Sequence, residues 1–360
     1  MNRNAGDTRS ARSKSRARGR RRVRGIGMVE LMVATALGLT LALVATALFM
    51  SARSGYAFQN DDARIQDTGR IAIEVLSRAV RQAGWLNLAQ TDAGRASLGS
   101  RSPDVLGFDA RSLTASSSAL LSALSTAQAV NGSDVLLLRY AGSGEGINGD
   151  GSIVNCAGFG VGEPLDPDLD RGWSVFYVAL DSSSGEPELR CKYQGTSAAG
   201  NQSWKSDAIV SGIEVFQLLY GLDNDADGRP DRFLNASAVR ALDDGQGTGQ
   251  PDSATATLES KRRSNWNKVV AIKVALLVRG ENANASPEQT GSVQANGVQS
   301  NSPAQKEFHL FGEQYSALLG AADDGARFSA VDAGAGRMRR LYSHTIHLRN
   351  SPSAARNTPA

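Results

Sequence analysis

The sequence predicts an α+β protein in which one long N-terminal helix, part membrane span and part amphipathic stalk, packs on a head of mainly antiparallel β-sheet. Three observations carry this. Leu31 to Met50 is a run of twenty residues without a charge, and at ~1.5 Å per residue such a helix crosses the ~30 Å hydrocarbon core of a bilayer. Helical periodicity then continues to Ala83. Beyond it, short runs rich in Val, Ile, Leu, Tyr and Phe alternate with Gly, Asp, Asn and Ser, which is the pattern of strands joined by turns.

The first segment, residues 1–25, is a basic leader. It holds ten Lys or Arg and one acid, a net of +9, so the formal +3 of the whole 360-residue chain conceals −6 in the remainder. The basicity therefore gives no direct indication of nucleic acid. Positive residues hold their end of a span in the cytoplasm, which places everything after Met50 on the exported side. An ordinary secretory signal is also basic and then apolar, but twenty uncharged residues exceed its usual apolar region.

Residues 26–84 form the predicted helix. Ile65, Ala72, Leu76, Ala79 and Ala83 recur at helical spacing among Arg64, Arg70, Arg78 and Arg81, so one face covers a core and the other meets solvent or a neighbouring subunit. Gly84 supplies the stop. Glu30 is out of place at the head of the span, where an unpaired carboxylate costs roughly 2 to 3 kcal/mol.

Residues 85–350 are the head. Thr91 to Val130 reads as a Ser-, Ala- and Gly-rich surface excursion with a short helix at Ala119 to Ala127. Strands are expected at Asp134 to Tyr140, Trp173 to Leu180 and Glu188 to Tyr193, the last two as a hairpin or as neighbours. Further strands are read at Ile209 to Tyr220, at Lys268 to Val278 in a central position, and at Arg339 to Arg349 with Tyr342, His344, Ile346 and Leu348 on one face. Asn235 to Asn267 and Asn282 to Gln305 read as loops, and residues 351–360 as a frayed tail.

Cys156 and Cys191 lie in the exported part, where an oxidising compartment makes pairing the default expectation; two unpaired buried thiols are the alternative. Asp223, Asp225, Asp227, Gly228 and Asp231 spell D-x-D-x-D-G-x-x-D. Oxygen ligands at alternate positions around a turn-forming glycine suit Ca²⁺, and the carbonyl of Arg229 is a further candidate ligand. Loop position twelve is Leu234 where an EF-hand has its bidentate Glu, so a merely solvated acidic turn is the competing reading. His344 and His347 are three apart on a strand and point to opposite faces, so they cannot share an ion. The sequence has no G-x-S-x-G, H-E-x-x-H or C-x-x-C pattern, and nothing in it argues for an enzyme or for a required cofactor.

A basic leader, Gly25 followed by apolar Ile26, Glu30 four residues further on, and about twenty apolar residues behind resemble the type IV prepilin signal. That resemblance implies cutting between Gly25 and Ile26 by a prepilin peptidase on the cytoplasmic side. Ile26 then becomes the N-terminus and Glu30 its fifth residue. It also implies that Glu30 meets the N-terminal amine of an adjacent subunit in a filament. Within the head helix, Arg70, Leu76, Arg81, Ala83 and Gly84 resemble the segment that follows the span in PilW-type minor pilins, and YGLDNDADG, VVAIKVALLVRG and RRLYSHTIHLRN follow in the order of that family. Residues 86–205 resemble nothing nameable. The resemblance implies a type IV pilin-like fold, an inner-membrane single-pass protein with a periplasmic head that later enters the pilus, and partners among other minor pilins, the major pilin and a tip adhesin. A J-type minor pseudopilin of type II secretion and a calcium-dependent adhesin head are the rival readings.

Overall fold

The computed structural model describes residues 25, 27–86, 102–114, 124–125, 129–165, 170–196, 202–244, 264–281, 307–319, 323, 325–330 and 337–350. The chain divides into two compact units, Met1–Tyr56 and Ala57–Ala360. One helix, α1 (Met28–Gln82), supplies the described structure of the first unit and the opening element of the second. The leader up to Arg24, Ile26, the loop read at Asn282 to Gln305 and the tail from residue 351 lie outside the described residues.

In the first unit α1 leaves its apolar side chains exposed, from Met28 to Met50. Its few hydroxyls are satisfied within the helix: Thr35 donates to the carbonyl of Met32, Thr40 to Ala36 and Leu37, and Thr46 to Ala42. A helix whose hydroxyls are turned on its own backbone is suited to hydrocarbon.

In the second unit the same helix buries Asp61, Ile65, Gly69, Ala72, Leu76, Ser77, Ala79 and Val80. Their three-and-four spacing forms one stripe, and it contains the apolar face expected from sequence. Gly69 is there for close approach: a side chain would run into the ring of Tyr342, whose hydroxyl donates to the carbonyl of Ile65 at 3.2 Å. The helix ends at Gly84 (φ +74°), and Asn350 donates its amide to the last carbonyls, of Arg81 and Ala83.

Two antiparallel sheets form the head. The first orders β1 (Val105–Phe108), β4 (Val135–Tyr140), β5 (Gly172–Leu180), β6 (Pro187–Thr196) and β7 (Gln202–Ser211) as β1-β4-β5-β6-β7. The second orders β8 (Ile213–Leu222), β9 (Arg232–Leu234), β10 (Val269–Arg279) and β13 (Arg339–His347) as β13-β10-β8-β9. Two minor ribbons pair β2 (Ser112–Leu113) with β3 (Leu124–Ser125) and β11 (Glu307–His309) with β12 (Arg327–Ser329). The short helices are α2 (Ala236–Asp244) and α3 (Glu313–Leu319).

Strand alternation decides which side chains meet. Leu136, Leu138, Phe176, Val178 and Leu189 join Phe216, Leu218, Ile272, Val274, Leu276 and the α1 stripe in one core. Val135, Leu137, Val175 and Tyr177, on the opposite face of the first sheet, pack with Leu113 in a second cluster. β8 is buried at every position because both of its faces are covered.

The hairpin β5-β6 and the central place of β10 agree with the sequence reading. Three expectations are corrected. The excursion read between Thr91 and Val130 contains β1, β2 and β3, and Leu124–Ser125 is strand where a helix over Ala119 to Ala127 was expected; the rest of that helix lies outside the described residues. The single strand read from Ile209 to Tyr220 is two strands in different sheets, divided at Gly212. The loop read from Asn235 to Asn267 begins with α2 and ends in a turn of 3₁₀ helix at Asn265–Lys268.

Candidate functional site

At the start of the helix, Gly25 is exposed and a side chain there would meet no atom within 4 Å. Local packing therefore makes no demand for glycine at this position. Glu30 occupies the first turn of α1, where the positive end of the helix dipole favours a carboxylate. It is exposed. Ile26 lies outside the described residues.

Cys156 and Cys191 form a disulfide with Cα atoms 5.9 Å apart. The bridge joins the glycine-rich connection after β4 to the middle of β6, a loop-to-sheet tie. Asn155 shapes the loop beside it, its Oδ1 accepting from the backbone N–H groups of Ala157 and Phe159 at 3.0 and 3.1 Å.

The acidic loop between β8 and β9 brings Asp223, Asp225 and Asp227 together, with one carboxylate oxygen of each lying within 4.8 Å of the others. Asp223 is buried and organises the turn, accepting from the N–H groups of Ala226 and Gly228. Asp225 accepts from the N–H of Asp227, and Asp227 from that of Arg229. Asp231 stands apart from the trio, accepting from the N–H of Asn224 at 2.7 Å. Three hard oxygen donors converging from one turn fit a cation such as Ca²⁺ in kind; the remaining ligands of a six- to eight-fold shell would come from carbonyls or water.

Sequence reasoning missed a band of ion pairs at one end of the second sheet. Glu214 is shared by Arg279 and Arg339, and Glu186 by Arg279 and Arg337. These charges come from four separate stretches of sequence, so no local spacing announces them. On the helix side, Arg64 pairs with Glu281 and Arg340 with Asp62. Packing of the head on its helix thus has a polar rim around an apolar seam.

The class defined by these features is an α+β protein with a long N-terminal helix, apolar enough over its first part to cross a membrane, whose second part packs on antiparallel sheets. Residues 175–350 match the family model described as PilW, Type IV Pilus-assembly protein W. That stretch is PilW-like and contains the later segments in which the sequence reading found the resemblance, from Tyr220 to Asn350; it also takes in residues 175–205, where the sequence reading found none. Among solved structures, a type IV-like pilin from Thermus thermophilus aligns over 80% of this chain and 98% of its own, with 12% sequence identity and a TM-score of 0.33. No curated protein matches the chain in sequence.

Proposed function

We propose that this chain is a minor pilin that is processed after Gly25, held in the inner membrane by α1 and incorporated in the tip or priming complex of a type IV pilus. The observation that carries the reading is the PilW match over residues 175–350, which favours a pilus over a secretion pseudopilus. The exposed apolar helix is consistent with it. Such a surface needs lipid before assembly and other subunits' helices after it. The role is structural, with partners among other pilins and the prepilin peptidase. Glu30 serves assembly, pairing with the N-terminal amine of a neighbour so that neither charge stands alone in an apolar bundle.

The test compares wild type and Glu30→Ala at equal membrane abundance, measuring recovery of each with sheared pili. Recovery of the wild type and about tenfold less of the variant is expected, a ratio equivalent to about 1.4 kcal/mol. Absence of the wild type from pili overturns the minor-pilin reading, whereas equal recovery of both rejects only the role of Glu30. We further propose that Asp223, Asp225 and Asp227 bind Ca²⁺ with water and backbone oxygens, stiffening the β8–β9 connection.

A further inference from the structure

On the other sheet, away from the acidic loop, the disulfide-tied connection after β4 folds against β5, β6 and β7 and leaves a groove of about 540 Å³. That size lies within the ~300–1,000 Å³ typical of small-ligand sites. Its floor is aromatic. Phe159 lies over Tyr193, with ring centroids 5.4 Å apart and planes inclined by 28°. Tyr193 is buried and held by donation of its hydroxyl to Asp207 at 2.7 Å, whereas Phe159 remains 55% exposed. Trp173 lines the same groove. A large ring held at a groove mouth by the structure behind it, with much of its surface open, is a stacking platform rather than a core residue.

Polar side chains stand around this floor. Asn155 lines the groove; its Oδ1 is taken by two backbone N–H groups, and among the described residues its amide nitrogen has no acceptor. Asn148, Gln194 and Lys205 also line the groove, and among the described residues their side chains have no hydrogen-bond partner. Amides offer a donor and an acceptor side by side, which matches adjacent hydroxyls. The lining has no arginine fork of the kind that selects phosphate or carboxylate.

An open aromatic face flanked by uncommitted amides suits a ligand with one apolar C–H face and a rim of hydroxyls. We propose that this groove binds a pyranose saccharide, which stacks on Phe159 and hydrogen-bonds through Asn155, Asn148 and Gln194. The site is pre-organised, since the Cys156–Cys191 bridge and the Asn155 turn hold Phe159 before any ligand arrives, so little ordering cost falls on binding. Part of the groove, from Gly146 to Trp173, lies in the portion of the chain outside the PilW match. The inference does not rest on incorporation into a pilus; binding is measured on the isolated chain and incorporation on sheared pili, so either fails without the other.

The experiment uses the full chain in a detergent without a sugar headgroup, applied to a printed oligosaccharide array. Chitotriose, maltotriose and lactose are then titrated while tryptophan fluorescence is followed. Saturable binding of at least one oligosaccharide is expected, weakened about tenfold or more in Phe159→Ala and several-fold in Gln194→Ala. Leu180→Ala, an exposed residue outside the groove, should bind as the wild type does. Phe159→Ala removes an exposed ring, and Gln194→Ala independently tests the polar rim if the first variant misfolds. No signal on the array, or undiminished affinity in both groove variants, overturns the proposal. Displacement of the bound sugar by an aromatic-rich peptide, with the peptide binding the tighter of the two, reassigns the groove to a peptide and overturns it equally.

Discussion

Asp134 ties the two sheets together at the level of single atoms. It precedes β4, its backbone N–H donates to the carbonyl of Phe216, and its carboxylate accepts from the N–H groups of Ala110 and Leu218 at 3.1 and 2.8 Å. Burial pushes this carboxyl well above its ordinary value of 3.8, and the nearby Asp109 and Asp323 charges push the same way against the two hydrogen bonds. The folded state therefore holds the proton more tightly than the unfolded chain does. The resulting stability is fully present below the unfolded pKa and is lost as pH rises through the folded pKa, by about 1.4 kcal/mol for each unit of upward shift. Asp134→Asn loses one acceptor, a cost that does not depend on pH. Relative to wild type, the variant should become progressively more stable as pH rises from 4 to 7. Urea midpoints of both proteins across that range would check this, and parallel curves would count against it. In the sequence Asp134 reads only as the first residue of a strand. Its partners lie 24 and 84 positions away.

Elements were legible where their chemistry is local. The stripe on α1, the strand at Val135–Tyr140 and the hairpin β5-β6 follow from spacing and side-chain type alone. The joint between β7 and β8 does not. Ile209 to Tyr220 is β-favouring on both sides of Gly212, and what divides it is a backbone at φ +85° that sends the chain from one sheet to the other. An isolated glycine inside a strand pattern is the one available signal. α2 carried a better one that was passed over: Asn235 caps it, accepting from the N–H of Ala238, and Val239 and Leu242 follow on one face. Asp109 adds two bonds to the same helix start, from Ala236 and Ser237, and these are long-range. The acidic loop was recognised by its spacing, yet the structure separates Asp231 from the other three aspartates. If the loop binds Ca²⁺, unfolding midpoints should rise on going from EDTA to millimolar Ca²⁺. The gain is about 2.7 kcal/mol at one hundred times the dissociation constant. Asp225→Ala, which removes an exposed ligand and leaves the Asp223 turn in place, should abolish the gain. Identical wild-type midpoints with and without Ca²⁺ would leave a solvated turn.

At the scale of the whole molecule, the N-terminal junction and the head are independent problems. A side chain at Gly25 would touch nothing among the described residues, so its requirement, if processing occurs there, belongs to the peptidase. Gly25→Trp should accumulate as full-length precursor in the membrane fraction, with its head as resistant to protease as the wild type. Normal processing of that variant, or a mature N-terminus other than Ile26, would refute the assignment of the cleavage site.

The sequence by itself determined the long helix, its apolar span, its buried stripe, most of the longer strands of the head and the PilW resemblance, and it made pairing of the two cysteines the default expectation. Each depends on a short-range period, on residue type or on the compartment a cysteine meets. Only the tertiary structure decided how the strands divide between two sheets, which charges share Glu214 and Glu186, and which polar groups are buried. It alone brought Phe159, Tyr193, Trp173 and Asn155 to one groove. Strand partnership and side-chain convergence depend on contacts between residues tens to hundreds of positions apart, and local propensity carries no record of which distant segment lies opposite.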